Sequence, residues 1–228
     1  TNCVYFSFWM LVPSDSCVPG LYNQDGPNWK FVMLSGNPWP ASDFTSVFLQ
    51  DLPNPAFSLM SAWYDSAGLY SGSDTATSMI KGRWHRFEWS FYGHTSAGFI
   101  HGWEMNDGSP RRQIQNATGI SNLHANDLWG LVRFPAYARQ DNVAKNYYDD
   151  IYVAIGGGAQ ARVEMGNNAD YSDCTELAIL TTRSWSDTTV RANVQHGSFV
   201  TGNNVYLFVI DAAGTVSPGY PVTIGNTY

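Results

Sequence analysis

The chain has 228 residues, 44% of them hydrophobic, which suits one large core or two small ones and argues against a disordered chain. Charged residues reach only 14%, and 12 Lys+Arg against 19 Asp+Glu leave a net charge of −7, which argues against nucleic acid or an anionic membrane as partner. The longest apolar run, residues 4–12, is strand-length, short of a bilayer span, and lacks the basic start and small-residue cleavage site of a signal peptide.

Residues 4–12 read as a buried strand ended by Pro13-Ser14-Asp15. The first residue is Thr, so the chain is expected to be a processed product or a fragment. Its low charge and Asn/Ser/Thr-rich surface fit an extracellular protein. Of the Cys residues, Cys3 and Cys17 flank the first strand and fit a short disulfide loop in an oxidising compartment, with Cys174 left over. Three buried thiols fit equally, and the absence of a CxxC pair argues against structural zinc.

A second strand is expected at Asn28-Trp29-Lys30-Phe31-Val32-Met33-Leu34, followed by the turn cluster Gly36-Asn37-Pro38-Trp39-Pro40. Short strands follow at residues 46–49 and 58–64, and residues 65–82 read as a Ser/Gly/Thr loop broken by Met79-Ile80. Residues 84–91 and 98–105 form the strongest signal, two aromatic-rich strands of a hairpin. If directly opposed ends meet, Phe91 faces Gly98, Arg86 faces Trp103 and Glu88 faces His101. One face then carries Arg86, Glu88, Ser90, Phe99, His101 and Trp103. The other carries His85, Phe87, Trp89, Phe91, Ile100 and Glu104.

Asn106-Asp107-Gly108 makes a tight turn into a strand at 111–115, and residues 116–127 read as a polar surface excursion. Asn116-Ala117-Thr118 matches an N-glycosylation acceptor. Residues 128–134 and 146–155 return as strands. With no convincing helical stripe upstream, about ten strands indicate an antiparallel sandwich or jelly roll. Gly156-Gly157-Gly158-Ala159-Gln160 reads as a linker. It divides residues 1–157, a β-sandwich, from 158–228, a small immunoglobulin-like β-domain or a set of docked strands. Tail strands are expected at 161–165, 176–182, 188–195, 204–211 and 219–224, with a turn at Asp211-Ala212-Ala213-Gly214.

Tyr5-Phe6-Ser7-Phe8-Trp9, Asn28-Trp29-Lys30-Phe31, Gly82-Arg83-Trp84-His85-Arg86-Phe87-Glu88 and Tyr147-Tyr148-Asp149-Asp150-Ile151-Tyr152-Val153, in that order, resemble the concanavalin A-like lectin/glucanase superfamily, and within it polysaccharide-lyase-like bacterial members. The resemblance implies two curved antiparallel sheets with a glycan on the concave one. It also implies a structural Ca²⁺ held by Asp149 or Asp150 with backbone carbonyls. An ion pair of one Asp with an Arg accounts for the same two carboxylates. The tail resembles immunoglobulin-like (IPT/TIG-type) modules of surface proteins.

The Glu-x-Asp-x-x-Glu run of the glucanase branch, which sets carboxylates about 5 Å apart, is absent, so a glycosidase is not expected. Arg86-Phe87-Glu88 fits the Arg-x-Glu strand of the alginate-lyase branch, whereas Gln113-Ile114-Gln115 lacks the His of its Gln-x-His strand. A lyase must neutralise a uronate carboxylate and remove the neighbouring proton, which makes Arg86, Glu88 and His101 the catalytic candidates, with Lys30 or Arg133 joining from neighbouring strands. Sugar binding needs aromatic faces and fixed polar groups, which nominates Trp103, Trp39, Trp63, Trp29 and Tyr64, with Asn28, Asn37, Arg86, Glu88, His101 and Lys30 as polar partners. The leading expectation is an extracellular polysaccharide-binding sandwich. A polysaccharide lyase comes next, and then a structural, self-associating surface or filament subunit. The uncharged, β-prone run 205–210 pairs with a neighbouring molecule in that third reading, or forms the centre of the tail.

Overall fold

A computed structural model describes residues 2–15, 29–37, 44–51, 56–65, 68–72, 78–106, 108–122, 128–134 and 145–225, and between residues 29 and 79 only the side chains of 32–35. The fold is all-β and antiparallel, apart from one short 3-10 turn at Tyr171–Asp173. Two compact units divide the chain. The first comprises Thr1–Glu104 and Gln113–Gly156; the second comprises Met105–Arg112 and Gly157–Tyr228.

The first unit is a sandwich of two sheets. One contains β1 (Cys3–Leu11), β7 (Trp84–Tyr92), β8 (Gly98–Asn106), β9 (Arg112–Ile120) and β11 (Tyr147–Ile155), in the order β11-β1-β7-β8-β9. The other contains β2 (Trp29–Asn37), β3 (Phe44–Asp51), β4 (Ala56–Asp65), β5 (Gly68–Gly72), β6 (Ser78–Ile80) and β10 (Leu128–Arg133). Its order is β10-β2-β3-β4-β5, with β6 also on β4.

Strict alternation along β1 and β7 builds the interior. Val4, Phe6, Phe8 and Met10 join Phe87, Trp89, Phe91 and Ile100 from the first sheet and Val32, Leu34 and Trp129 from the second in one buried cluster. Phe6 stacks on Phe91 at 5.4 Å between centroids, and Phe8 on Trp89 at 6.2 Å. Each such side chain contributes about 1.5–3 kcal/mol on leaving water. The intervening residues of both strands therefore point to the outer face of the first sheet, away from the second.

The expected hairpin is present, and its loop is held from outside. Asn122 Oδ1 accepts from His94 N at 2.9 Å, and Asn122 Nδ2 donates to Tyr92 O at 3.1 Å. A Cβ at Gly98 would lie 2.2 Å from that same Asn122 Oδ1, so only glycine lets the clamp close.

Three expectations need correction. The segment 65–82 is not all loop, because β5 and β6 lie within it. Strand β9 runs on to Ile120, through residues expected to form a surface excursion. Lys30 and Arg133 are not neighbours of the hairpin: they lie on β2 and β10, which pair with each other in the second sheet.

In the second unit β12 (Arg162–Gly166), β13 (Leu177–Trp185), β14 (Val190–Asn193), β15 (Asn204–Ile210) and β16 (Tyr220–Thr223) form one five-stranded sheet, order β14-β13-β12-β15-β16. An immunoglobulin sandwich has two sheets. The apolar run 205–210 is β15, paired on both sides by β12 and β16, so it offers no free edge. Asp211 Oδ1 accepts from Ala213 N and Thr215 N, and Gly214 takes the left-handed conformation that closes the expected turn. Beside the core lies a fully enclosed ion pair: Arg162 Nε donates to Glu164 Oε1, Arg162 Nη1 to Gln160 O at 2.9 Å, and Arg162 Nη2 to Tyr171 OH at 3.4 Å.

Candidate functional site

Strands β1, β7 and β8 place two kinds of group on the outer face of the first sheet. Towards β1 lies a closed polar network. In the β1–β7 register Ser7 pairs with Glu88 and Trp9 with Arg86. Side chains then reach diagonally, as cross-strand neighbours do. Tyr5 OH donates to Glu88 Oε2 at 2.8 Å, Arg86 Nε donates to Ser7 Oγ at 3.1 Å, and Arg86 Nη2 stands 3.5 Å from Glu88 Oε1. Tyr5 is 0% exposed, Ser7 2%, Arg86 2% and Glu88 1%. The expectation that Arg86 and Glu88 stand open to ligand is therefore corrected. They face the predicted way, but they are buried and bonded to one another and to β1.

Towards β9 the face is aromatic. Phe99, His101 and Trp103 alternate along β8 and are each half-buried, as is Tyr92 at the end of β7. Centroid distances run 5.8 Å from Tyr92 to Phe99, 4.5 Å from Phe99 to His101 and 6.0 Å from His101 to Trp103. The Phe99 and His101 planes differ by only 13°, and Trp103 stands edge-on to the imidazole. Burial pushes the His101 pKa below its ordinary 6.5, so the ring is neutral at neutral pH. Its Nε2 is enclosed and meets no hydrogen-bond partner among the described residues.

The opposite face of the hairpin closes on itself. His85 Nδ1 lies 2.7 Å from Glu104 Oε1 with both side chains 0% exposed. That pair has the spacing of the expected register, in which His85 and Glu104 share the core side.

The remaining candidates separate. Trp39 and Asn28 lie outside the described residues, as do the side chains of Trp29, Lys30, Asn37, Trp63 and Tyr64. Gln113 is exposed, and buried Gln115 accepts from Trp89 Nε1 at 3.4 Å, so neither supplies a base. Cys17 also lies outside the described residues, which leaves the Cys3–Cys17 expectation there. Cys174 is a buried free thiol in contact with Asn168 O and Asp170 O.

Asp149 and Asp150 are exposed on β11, at a bulge where the register against β1 shifts and Asp150 takes φ 47°. Asp150 N donates to Asp149 Oδ1 at 2.8 Å. Partial burial and the Asp149 charge raise the Asp150 pKa, opposed by the Arg86 cation. Among the described residues no group of three or more His, Cys, Asp or Glu side chains is arranged to hold a metal.

Sequence reasoning missed Tyr5 and Ser7, which bond the two charged groups, and it did not single out Phe99 and Tyr92. The signal was present in the alternation of β1, whose polar members had to lie beside Arg86 and Glu88 once the apolar members filled the core.

No family model matches the chain, and neither does any curated protein sequence. Among solved structures, the marine PL-14 alginate lyase from Aplysia kurodai matches over 68% of this chain and 70% of its own, at 10% identity and TM-score 0.44. The catalytic domain of the glycoside hydrolase family 131 protein from Coprinopsis cinerea matches over 68% of this chain and 57% of its own, at 12% identity and TM-score 0.33. Likeness at this level carries no activity across.

Proposed function

We propose that the outer face of the first sheet is a polysaccharide-binding platform on an extracellular protein. The observation that carries this reading is the row of half-buried rings Tyr92, Phe99, His101 and Trp103. Flat apolar faces beside fixed polar groups are what a pyranose ring needs, since its C–H faces stack and its hydroxyls hydrogen-bond. The buried Tyr5–Glu88–Arg86–Ser7 network lies beside them on the same face, towards β1. Affinity electrophoresis or a glycan array with neutral and acidic polysaccharides tests the platform. Retention weakened in Trp103→Ala supports it, and absence of any retained glycan at millimolar sugar refutes it.

One observation favours a second reading, β-elimination on a uronate polymer. Burial lowers the His101 pKa and so favours the neutral imidazole that a general base requires, and its enclosed Nε2 would have to open to meet a substrate proton. Binding still leads, because Arg86, the cation that would neutralise the uronate, is 2% exposed and bonded to Ser7. Unsaturated-product absorbance that appears with wild type and vanishes in His101→Ala would put the lyase first.

A further inference from the structure

We propose that Asn116 is the acceptor of an N-linked glycan, carried on β9, the last strand of the first sheet among the described residues. Asn116-Ala117-Thr118 is the only Asn-x-Ser/Thr triplet in the sequence, and its middle residue is not proline. All three residues lie on β9. Ala117 packs against the core, whereas Asn116 and Thr118 are both exposed, so the amide and the hydroxyl that define the acceptor project outward.

The edge itself supplies the physical need. An unpaired strand invites pairing with another chain, and proteins guard such edges with Lys, Pro, a cover or brevity. β9 is nine residues long and has no Lys or Pro, and its single charged residue is Arg112 at the start. The other edge of the same sheet, β11, carries Asp149 and Asp150 at a bulge. A bulky hydrated glycan on Asn116 would give β9 the guard that its side chains lack.

The chemistry is a transfer without redox change. The Asn116 amide nitrogen forms a bond to C1 of a lipid-pyrophosphate-linked oligosaccharide. The C1–O bond to pyrophosphate breaks, the lipid pyrophosphate leaves with the electron pair, and the amide proton passes to the transferase's base. The inference rests on the extracellular part of the reading above, not on the ligand.

The test secretes the full chain from cells carrying that donor and its transferase, then reads the Asn116 peptide by mass spectrometry before and after amidase deglycosylation, which leaves aspartate. Occupancy in wild type and in Thr118→Ser, with loss in Asn116→Gln and Thr118→Val, is expected. A secreted, folded wild type with bare Asn116 overturns the inference, and does so alone if that sample still binds polysaccharide. Failure of the chain to be secreted counts against the acceptor and the extracellular reading together. Sedimentation reads the guard: the enzymatically deglycosylated protein should associate more with concentration, and equal behaviour removes that role.

Discussion

Phe99 and His101, two positions apart on β8, stack their rings 4.5 Å apart at 13° on the outer face of the first sheet. The strand repeat alone aligns them, since residues i and i+2 share a face. Stacking desolvates the imidazole and joins Tyr92, Phe99, His101 and Trp103 into one aromatic row. Removing one ring should therefore weaken ligand while leaving the core intact. Phe99→Ala and Trp103→Ala are each expected to lose about tenfold in polysaccharide affinity, roughly 1.4 kcal/mol. The check is parallel titration and melting of each variant, and a fall in affinity matched by loss of the fold would assign the rings to stability instead.

The acid side of the stability profile follows from His101. Its folded pKa lies below the unfolded 6.5, so between the two the unfolded chain binds the proton and the folded one does not. Its full contribution stands above pH 6.5 and is lost as pH falls from there through the folded value. Nuclear magnetic resonance should give a His101 midpoint below 6.5, and His101→Gln should flatten the stability curve in that window. Asp150 acts oppositely, because a carboxyl with a raised folded pKa gains folded-state protons as pH falls. A His101 midpoint above 6.5 would contradict the desolvated stack.

Arg86 and Glu88 give a different signature. Both are enclosed, so truncating one strands the other's charge. Arg86→Met should cost about 3–5 kcal/mol by chemical denaturation, and Arg86→Met with Glu88→Gln less than the sum of the two single changes. Additive losses would mean that the two groups do not act as a pair.

At the β11 bulge, Asp150 sits at φ 47°, a conformation that Asn accepts readily and β-branched residues do not. Asp150→Asn should change stability by less than about 0.5 kcal/mol, whereas Asp150→Val should lower it by about 1–2 kcal/mol. Equal melting of the two variants would show that this backbone conformation is not adopted.

Much of this was legible in the residues. The hairpin strands fall within a residue of the ranges read from aromatic content, and Phe87, Trp89, Phe91 and Ile100 are the core side as alternation required. Alternation assigns a side chain to a face, but it does not say what lies over that face. Arg86 and Glu88 were therefore placed correctly and judged open wrongly. The missed strands share a cause: β5 is Gly-Leu-Tyr-Ser-Gly and the end of β9 is Asn-Ala-Thr-Gly-Ile, edge segments held by backbone pairing with too little apolar alternation to announce a strand. Lys30 was assigned to the hairpin's neighbourhood because sequence order does not reveal which sheet a strand joins.

The most direct test of the platform is a calorimetric titration of one polysaccharide, chosen by array, into wild type and into Phe99→Ala and Trp103→Ala. Saturable binding in wild type, weakened about tenfold in each variant with its fold retained, is the result predicted. Binding of equal strength in all three proteins would place the ligand elsewhere and contradict the account.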